Sequence, residues 1–464
     1  MLARLCSLRR SRYGYNSAMH RIHSPSPQRR LAPTVLALVL WLAAACSPTG
    51  APLSSSSSAL DLSLYSRVIS RVEADYVVPV EQTKLLEDGL KGMVSGLDPH
   101  SDYLNEEEYQ ELISDSEGEF AGIGIEINRD DNRLRIISPI DDTPAARAGL
   151  HAGDIIARID GQPTDGMSLH DAVEKLRGAA GSAVRLTIER GLEKPFDVTL
   201  NRAVIHVVSV KSKLEPGRIG YLRIVSFGEH TEAEFFAALG RLTNEAGGSL
   251  AGVVLDLRND PGGLLETAVR ISGDFLNGGT VVSTRGRNAD DDETYPAPPT
   301  GDRLRGVPVV VLINGASASA SEIVAGALQD RKRATLLGTR SFGKGSVQTI
   351  IPLDGQGALR LTTARYYTPS GRSIQGDGIV PDIVILPSKD AMDAHGEIVH
   401  ETNLRGALRN DTVRTGLEKP ADTSGDIAID TQLIGTDKDN QLLAALDRLR
   451  RPEARLSSPS QAAP

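Results

Sequence analysis

Three serines, Ser317, Ser319 and Ser321, alternate with alanine and run directly into Glu322. The apolar stretch Val307 to Ile313 precedes them and a helical pattern follows, so the hydroxyls lie where a strand hands over to a helix. A serine at such a point is exposed, and the helix dipole favours negative charge developing beside it. Ser319 with Glu322 also fits a capping box, the purely structural use of these residues. The balance moves toward chemistry with a second segment, Arg340-Ser341-Phe342-Gly343-Lys344-Gly345-Ser346-Val347-Gln348, a glycine-flanked lysine in a loop before a strand. A serine nucleophile needs a base. Lysine serves if its pKa falls from about 10.4 towards 7, a bias of about 4 kcal/mol that desolvation can supply. Gln348, on the same face if the strand begins by Val347, has an amide able to orient the neutral amine. Alone, Lys344 reads as a solvated loop lysine; its pairing with the serines is what raises it.

Histidine is the usual base, yet only His230 lies between Val207 and Ile385, in a polar loop before a helix, so a Ser-His-Asp triad stays open as an alternative. The other chemistries are thinner still. Cys6 and Cys46 are the only cysteines, too few for a disulfide framework or a thiolate zinc site. A net charge of -9 and 4% aromatics argue against nucleic acid as partner.

Positioning these residues falls to a chain of 464 residues, 40% apolar, long enough for two or three domains. Residues 1–46 form a separate charge regime. Seven arginines and no acid precede Asp61; removing them from 51 Lys+Arg leaves 44 against 60 Asp+Glu, about -16. The apolar run Leu31 to Ala45 follows the arginines and ends in small residues, the pattern of a bacterial export signal or membrane anchor. It is short for a transmembrane span. Cys46 directly after it is a lipidation candidate, ordinary signal cleavage being the alternative, and Met19 is a second candidate start. The expected location is therefore the cell envelope or periplasm. Residues 47–59 read as a serine-rich linker.

Residues 60–115 read as helical, interrupted by Gly96-Leu97-Asp98-Pro99-His100-Ser101, with no evident chemistry and a packing or dimerisation role; His100 reads as a lone histidine beside a proline turn. Residues 119–203 change to short strands and one helix, and 207–388 to alternating strand and helix with continuous apolar strands, hence a mainly parallel sheet covered by helices. Gly262-Gly263 and Ser319 both fall at carboxyl ends of strands, where such folds place functional loops. Arg287 to Arg303 reads as an acidic loop, and residues 389–464 as a polar region with a terminal helix near Gln441 to Leu446 that docks on the core or pairs with another subunit.

The loop Gly122-Ile123-Gly124-Ile125, the run Ala145-Ala146-Arg147-Ala148-Gly149-Leu150 with Gly153-Asp154, and the helix bearing Leu169 and Val173 resemble a PDZ domain. Unpaired backbone N–H groups of such a loop form a nest for a terminal carboxylate, and the peptide adds as a strand, its last side chain entering a pocket lined by Leu169 and Val173. The whole order, with Gly-Leu-Asp-Pro-His-Ser, Asp256-Leu257-Arg258-Asn259-Asp260-Pro261-Gly262-Gly263, the serine run, the Lys344 loop and Tyr366 to Asp382, resembles the carboxyl-terminal processing peptidases, or tail-specific proteases. That resemblance covers about Leu60 to Leu386. It implies a Ser-Lys endopeptidase with a ClpP/crotonase-like α/β core and an inserted PDZ domain, with Ser319 as nucleophile, Lys344 as general base and Gln348 orienting it. It further implies an oxyanion hole of the Gly263 and Ala320 backbone amides, no metal or organic cofactor, substrates with apolar C-terminal tails, and dimers. Arg190, at the end of a PDZ strand, is a candidate link between the PDZ domain and the active site. A catalytically silent peptide-binding scaffold is the alternative.

Overall fold

The computed structural model describes residues 63–451 except 131–132, 141–142, 192, 207, 300, 390–391, 398–399, 411–426 and 430–432. The leader, Cys46 and the serine-rich linker lie outside the described residues. At the centre is a six-stranded sheet in the order Val210–Glu215, Ile219–Ile224, Gly252–Asp256, Val309–Ile313, Ala334–Gly338, Ile383–Val384. The first pair is antiparallel and the rest are parallel. Gly252–Asp256 and Val309–Ile313 are buried along their whole length, as their continuous apolar composition requires. Alternate residues face opposite layers. Leu222, Leu255, Val311 and Leu336 pack under the helices Thr231–Glu245, Leu265–Gly273 and Ala320–Asp330. Tyr221, Val254, Leu312 and Leu337 pack under the terminal helix Asn440–Arg450, through Leu442, Ala445, Leu446 and Leu449. That helix therefore docks on the core of its own chain.

A second, antiparallel sheet runs Asp102–Leu104, Ala358–Tyr367, Thr280–Gly286, Glu293–Pro296, with Ser346–Pro352 paired to the other edge of Ala358–Tyr367. The segment expected to be an acidic loop thus contains a strand, Glu293–Pro296, whose Thr294 and Tyr295 favour the pleat. The segment read as helical likewise contains a strand: Asp102 pairs with Arg360 and Leu104 with Ala358, fixing the Gly96–Ser101 turn against the sheet. Helices Gln82–Ser95 and Glu106–Glu117 pack against Asp102–Leu104, helix Ser63–Asp75 precedes them in the chain, and Gly118 ends Glu106–Glu117 in the left-handed conformation that glycine tolerates.

Strands Ile125–Asp130, Arg133–Pro139, Ile155–Ile159, Ala183–Glu189 and Phe196–Asn201 with helix Leu169–Leu176 enclose a core of their own around Ile136, Ile156 and Leu186. The last two strands form the expected hairpin. A two-stranded ribbon, Glu119–Gly122 against Ala203–His206, carries the chain into and out of this unit.

Candidate active site

The buried strand Val309–Ile313 delivers the chain to Asn314 and the three serines, whose surroundings separate them. The Ser317 hydroxyl donates to the Leu257 carbonyl at 2.8 Å and accepts from the Asn314 amide at 2.9 Å. The Ser321 hydroxyl donates to the Asp260 carbonyl at 3.2 Å. Both are fully buried structural groups. Ser319 alone is partly exposed, and its side chain makes no capping hydrogen bond although it is the N-cap of Ala320–Asp330. Its polar neighbour is the Tyr366 hydroxyl, which burial pushes well above the usual tyrosine range and which has no well-formed hydrogen bond of its own. Ser319 also holds φ 54° and ψ -113°, a conformation costing a non-glycine residue about 1–3 kcal/mol. The turn is thus strained, and its hydroxyl sits beside Tyr366 and not in the helix cap.

Glu322 holds that turn. Its Oε2 accepts from the Ser319 amide and from the Lys344 amide, each at 2.9 Å, while Oε1 accepts from the Gly343 amide at 2.8 Å and the Ser341 hydroxyl at 2.5 Å. Two amides on one oxygen put the backbones of Ser319 and Lys344 within about 6 Å of each other. Glu322 is fully buried; burial pushes its carboxyl up to about 7 against the pull of the four donors. The capping glutamate of the sequence is therefore the clamp between the two candidate segments.

The Lys344 loop is seated by Phe342, whose amide donates to the Ser317 carbonyl at 3.0 Å, and by Gly345, where a side chain would collide with the Gln375 backbone. Burial lowers the Lys344 pKa from its ordinary 10.5; Glu401, Glu322 and Asp98 oppose that and Arg360 adds to it. The lysine forms no ion pair among the described residues. The direction a base requires is thus present in a partly exposed lysine whose flanking glycines lie against the backbone of Gly376 and Gln375.

Gln348 follows in the strand Ser346–Pro352, after a bulge between Val347 and Gln348. Its amide nitrogen donates to the Ser346 hydroxyl at 3.0 Å and the Thr362 hydroxyl at 3.1 Å, which leaves Oε1 as its acceptor end. Around it stands the turn read as mere packing. Thr362 donates to Asp98 at 3.1 Å, and His100 contacts Glu401 through Nε2 at 2.8 Å. Glu401 in turn accepts from Gln375, which accepts from the Gly345 amide, 2.9 Å each. The Gly96–Ser101 segment therefore belongs to the site, and the pairing of Asp102–Leu104 with a strand far along the chain, invisible to local periodicity, is the reason it was missed. Asp98, Thr362, Glu401 and Tyr366 carry no short-range signal; only the motif order pointed at the first and the last of them.

Beside Ser319 lies the loop after Gly252–Asp256. Gly262 has φ 101°, and a side chain there would come within 2.8 Å of the Ser319 Cβ and the Ala320 nitrogen. The amides of Gly263 and Ala320 donate to no acceptor among the described residues. The loop is braced from behind by Arg258, wholly buried, which donates to Asp256 (2.6 and 2.9 Å), Asp439 (2.5 and 2.9 Å) and Gln441 (2.9 Å). The terminal helix is thus tied to the loop beside the serine. Asp260, buried in the same loop, has its carboxyl pushed up to about 8 by desolvation.

His230 is not brought to the serines. It stands exposed at the start of Thr231–Glu245, edge-on to His206 and 3.9 Å from Glu119, in a cavity lined by Gly118, Ser209, Ser226 and Glu234. Arg190 likewise turns inward on its own unit: it donates to both Asp154 oxygens at 2.7 Å and to the Gly149 carbonyl at 2.8 Å, and lies over the Phe196 ring. The expected link between the units is not made by this residue.

In the unit of residues 125–201 and the loop leading into it, the Ile123 and Gly124 amides donate to no acceptor among the described residues, whereas their carbonyls accept from Ala145 and Ile140. Ile123 buries its side chain in the core, so only its backbone faces the groove. Gly122 pairs with Ala203 and Ile125 with Pro139. Leu169 is 39% exposed and Val173, one turn on, is half-buried, an apolar face left open.

A serine on a strained strand-to-helix turn and a partly exposed lysine whose loop shares the Glu322 clamp therefore lie together, and the separate small unit leaves an apolar helix face open. Residues 218–385 match peptidase family S41, and residues 135–190 match the PDZ domain. A carboxy-terminal-processing protease of Bartonella bacilliformis is 48% identical over 351 residues, 75% of this chain and 80% of that protein. A probable CtpA-like serine protease of Staphylococcus haemolyticus is 35% identical over 312 residues, 67% of this chain and 62% of that protein. Among solved structures, a photosystem II D1 C-terminal processing protease matches with a TM-score of 0.40 and 29% identity, covering 69% of this chain and 92% of that one. The chain belongs to peptidase family S41, the carboxy-terminal-processing proteases.

Proposed function

We propose that this protein is an exported endopeptidase that reads the C-terminal tail of a polypeptide in its PDZ groove and cleaves the polypeptide with a Ser319–Lys344 dyad. The observation that carries the reading is the single Glu322 oxygen accepting from both Ser319 and Lys344, beside the one serine whose hydroxyl caps nothing. Ser319 attacks the scissile carbonyl as Lys344 takes its proton, and the amides of Gly263 and Ala320 receive the oxyanion. Lys344 then protonates the leaving amine, water hydrolyses the acyl-enzyme, and no metal or organic cofactor takes part. The Ile123 and Gly124 amides hold the tail's carboxylate, and Leu169 and Val173 receive its last apolar side chain. The basic and apolar leader supports export to the cell envelope, with Cys46 as the lipid-bearing residue.

Cleavage of an unstructured polypeptide ending in apolar residues is expected from the native protein and lost in both Ser319→Ala and Lys344→Ala. Equal cleavage by all three rejects the dyad; tail binding without cleavage by any of them supports a scaffold. The rising limb of kcat/KM against pH is expected below the ordinary lysine value of 10.5, because burial holds Lys344 down and only its neutral form accepts a proton. A limb near 6.5 that vanishes in His230→Ala replaces the dyad with a triad.

A further inference from the structure

We propose that Asp98 is a positioning residue for the reaction, setting through Thr362 which end of the Gln348 amide is turned to Lys344. The inference rests on the Ser319–Lys344 reading and deepens it. A carboxylate only accepts hydrogen bonds. Asp98 is buried, and although desolvation pushes its carboxyl up, its donors hold it below the usual carboxylate range. Those donors are the Ser101 hydroxyl at 2.7 Å, the His100 and Ser101 amides at 2.9 and 3.0 Å, and the Thr362 hydroxyl at 3.1 Å.

Thr362 has one hydroxyl proton. Given to Asp98, it leaves the oxygen as an acceptor; the Ser101 hydroxyl, 3.3 Å from that oxygen, has its closer acceptor in Asp98 at 2.7 Å, and the Gln348 nitrogen at 3.1 Å fills the place. The relay therefore has one polarity, from the Gln348 NH2 to Thr362 to Asp98, and Oε1 is left for the lysine. With Oε1 facing it, the neutral amine donates one N–H to Gln348 and keeps its lone pair for the Ser319 proton. With the amide reversed, the NH2 would occupy that lone pair and take the base out of the reaction. Backbone pairing holds the relay in register: the Ser101 hydroxyl accepts from the Thr362 amide at 3.0 Å, next to the Asp102–Arg360 pair. The Gly96–Ser101 turn thus supplies polarity to a strand 264 positions away.

The test is steady-state kinetics on a tailed polypeptide with Asp98→Asn, Thr362→Val, Thr362→Ser and Gln348→Ala, each checked by thermal melting. Asp98→Asn, whose amide can donate to Thr362 and reverse the relay, and Thr362→Val, which cuts it, are each expected to lower kcat about tenfold with KM within about twofold. Thr362→Ser restores the native rate. In the Gln348→Ala background, Asp98→Asn is expected to change kcat by less than about twofold, since its effect passes through the missing amide. Native kcat in Asp98→Asn and Thr362→Val beside an impaired Gln348→Ala overturns the proposal while leaving the dyad standing. Losses that multiply in the double variant overturn it as well. Native activity in Gln348→Ala removes the reading on which it rests. Should Asp98→Asn not fold, Thr362→Val, which keeps the carboxylate, decides.

Discussion

The two sites of this chain are built in opposite ways. The peptidase centre is closed: Glu322 is fully buried with all its donors engaged, two of three serines are consumed by structure, and the third is held in a strained turn. The PDZ groove is open: Leu169 is 39% exposed and the Ile123 and Gly124 amides lack acceptors among the described residues. The difference fits the roles proposed for them. Acyl transfer needs groups fixed in advance to within fractions of an ångström, so the centre is over-determined. Tail recognition uses backbone hydrogen bonds and a pocket that tolerate varied sequences, so unfilled groups suffice.

The largest effect expected from breaking this contrast is at the clamp. Glu322→Ala strands three amides and a hydroxyl at about 1–3 kcal/mol each, and should lower kcat at least about 100-fold while tail binding, followed by fluorescence anisotropy of a labelled peptide, stays native. Comparable loss of both functions would mean the two sites share one support. Next is the brace behind the Gly262-Gly263 loop. Asp439→Ala leaves Arg258 buried without two of its five side-chain hydrogen bonds and should cost about 3–5 kcal/mol in denaturant unfolding. Undiminished stability would show that the terminal helix is not part of the centre's frame.

On the open side, Gly124 has φ 76° and a side chain there would collide with Thr143. Gly124→Val is expected to raise KM for a tailed polypeptide about tenfold and to leave cleavage of a short tailless peptide unchanged. Equal damage to both substrates would contradict the division of labour. The smallest effect sharpens the claim of strain: Ser319→Gly should be more stable than Ser319→Ala by about 1 kcal/mol, both being inactive, because glycine accepts φ 54° and ψ -113° without penalty. Equal melting temperatures would remove strain from the account.

The contrast also explains what could be read without coordinates. The PDZ unit is one continuous stretch whose turns, hairpin and groove helix follow from local pattern, and its closing hairpin and helix appear as expected. The parallel order of the central sheet was equally readable, because buried parallel strands are apolar on both faces. The peptidase centre was readable only in its glycine-rich and serine-rich loops. Glu322 looked like a cap since its second and third duties, to Gly343 and Lys344, lie 21 and 22 positions on. Asp98 and His100 looked idle since their partners, Thr362 and Glu401, are 264 and 301 positions away. The strand Glu293–Pro296 was hidden by the acidic residues around it. Arg190 read as a candidate link to the active site, and only the fold supplied Asp154 as its partner.

By itself the sequence determined the strand-to-turn-to-helix setting of the serines, the glycines that let backbone approach backbone, and a carboxylate-binding loop followed by its groove helix. These depend on φ, on side-chain period and on neighbours a few positions apart, all of which are local quantities. Only the tertiary structure decided which serine keeps its hydroxyl, which carboxylate joins Ser319 to Lys344, and that an amino-terminal turn completes the lysine's surroundings. Those outcomes depend on burial and on hydrogen-bond partners, and both are created when distant segments pack.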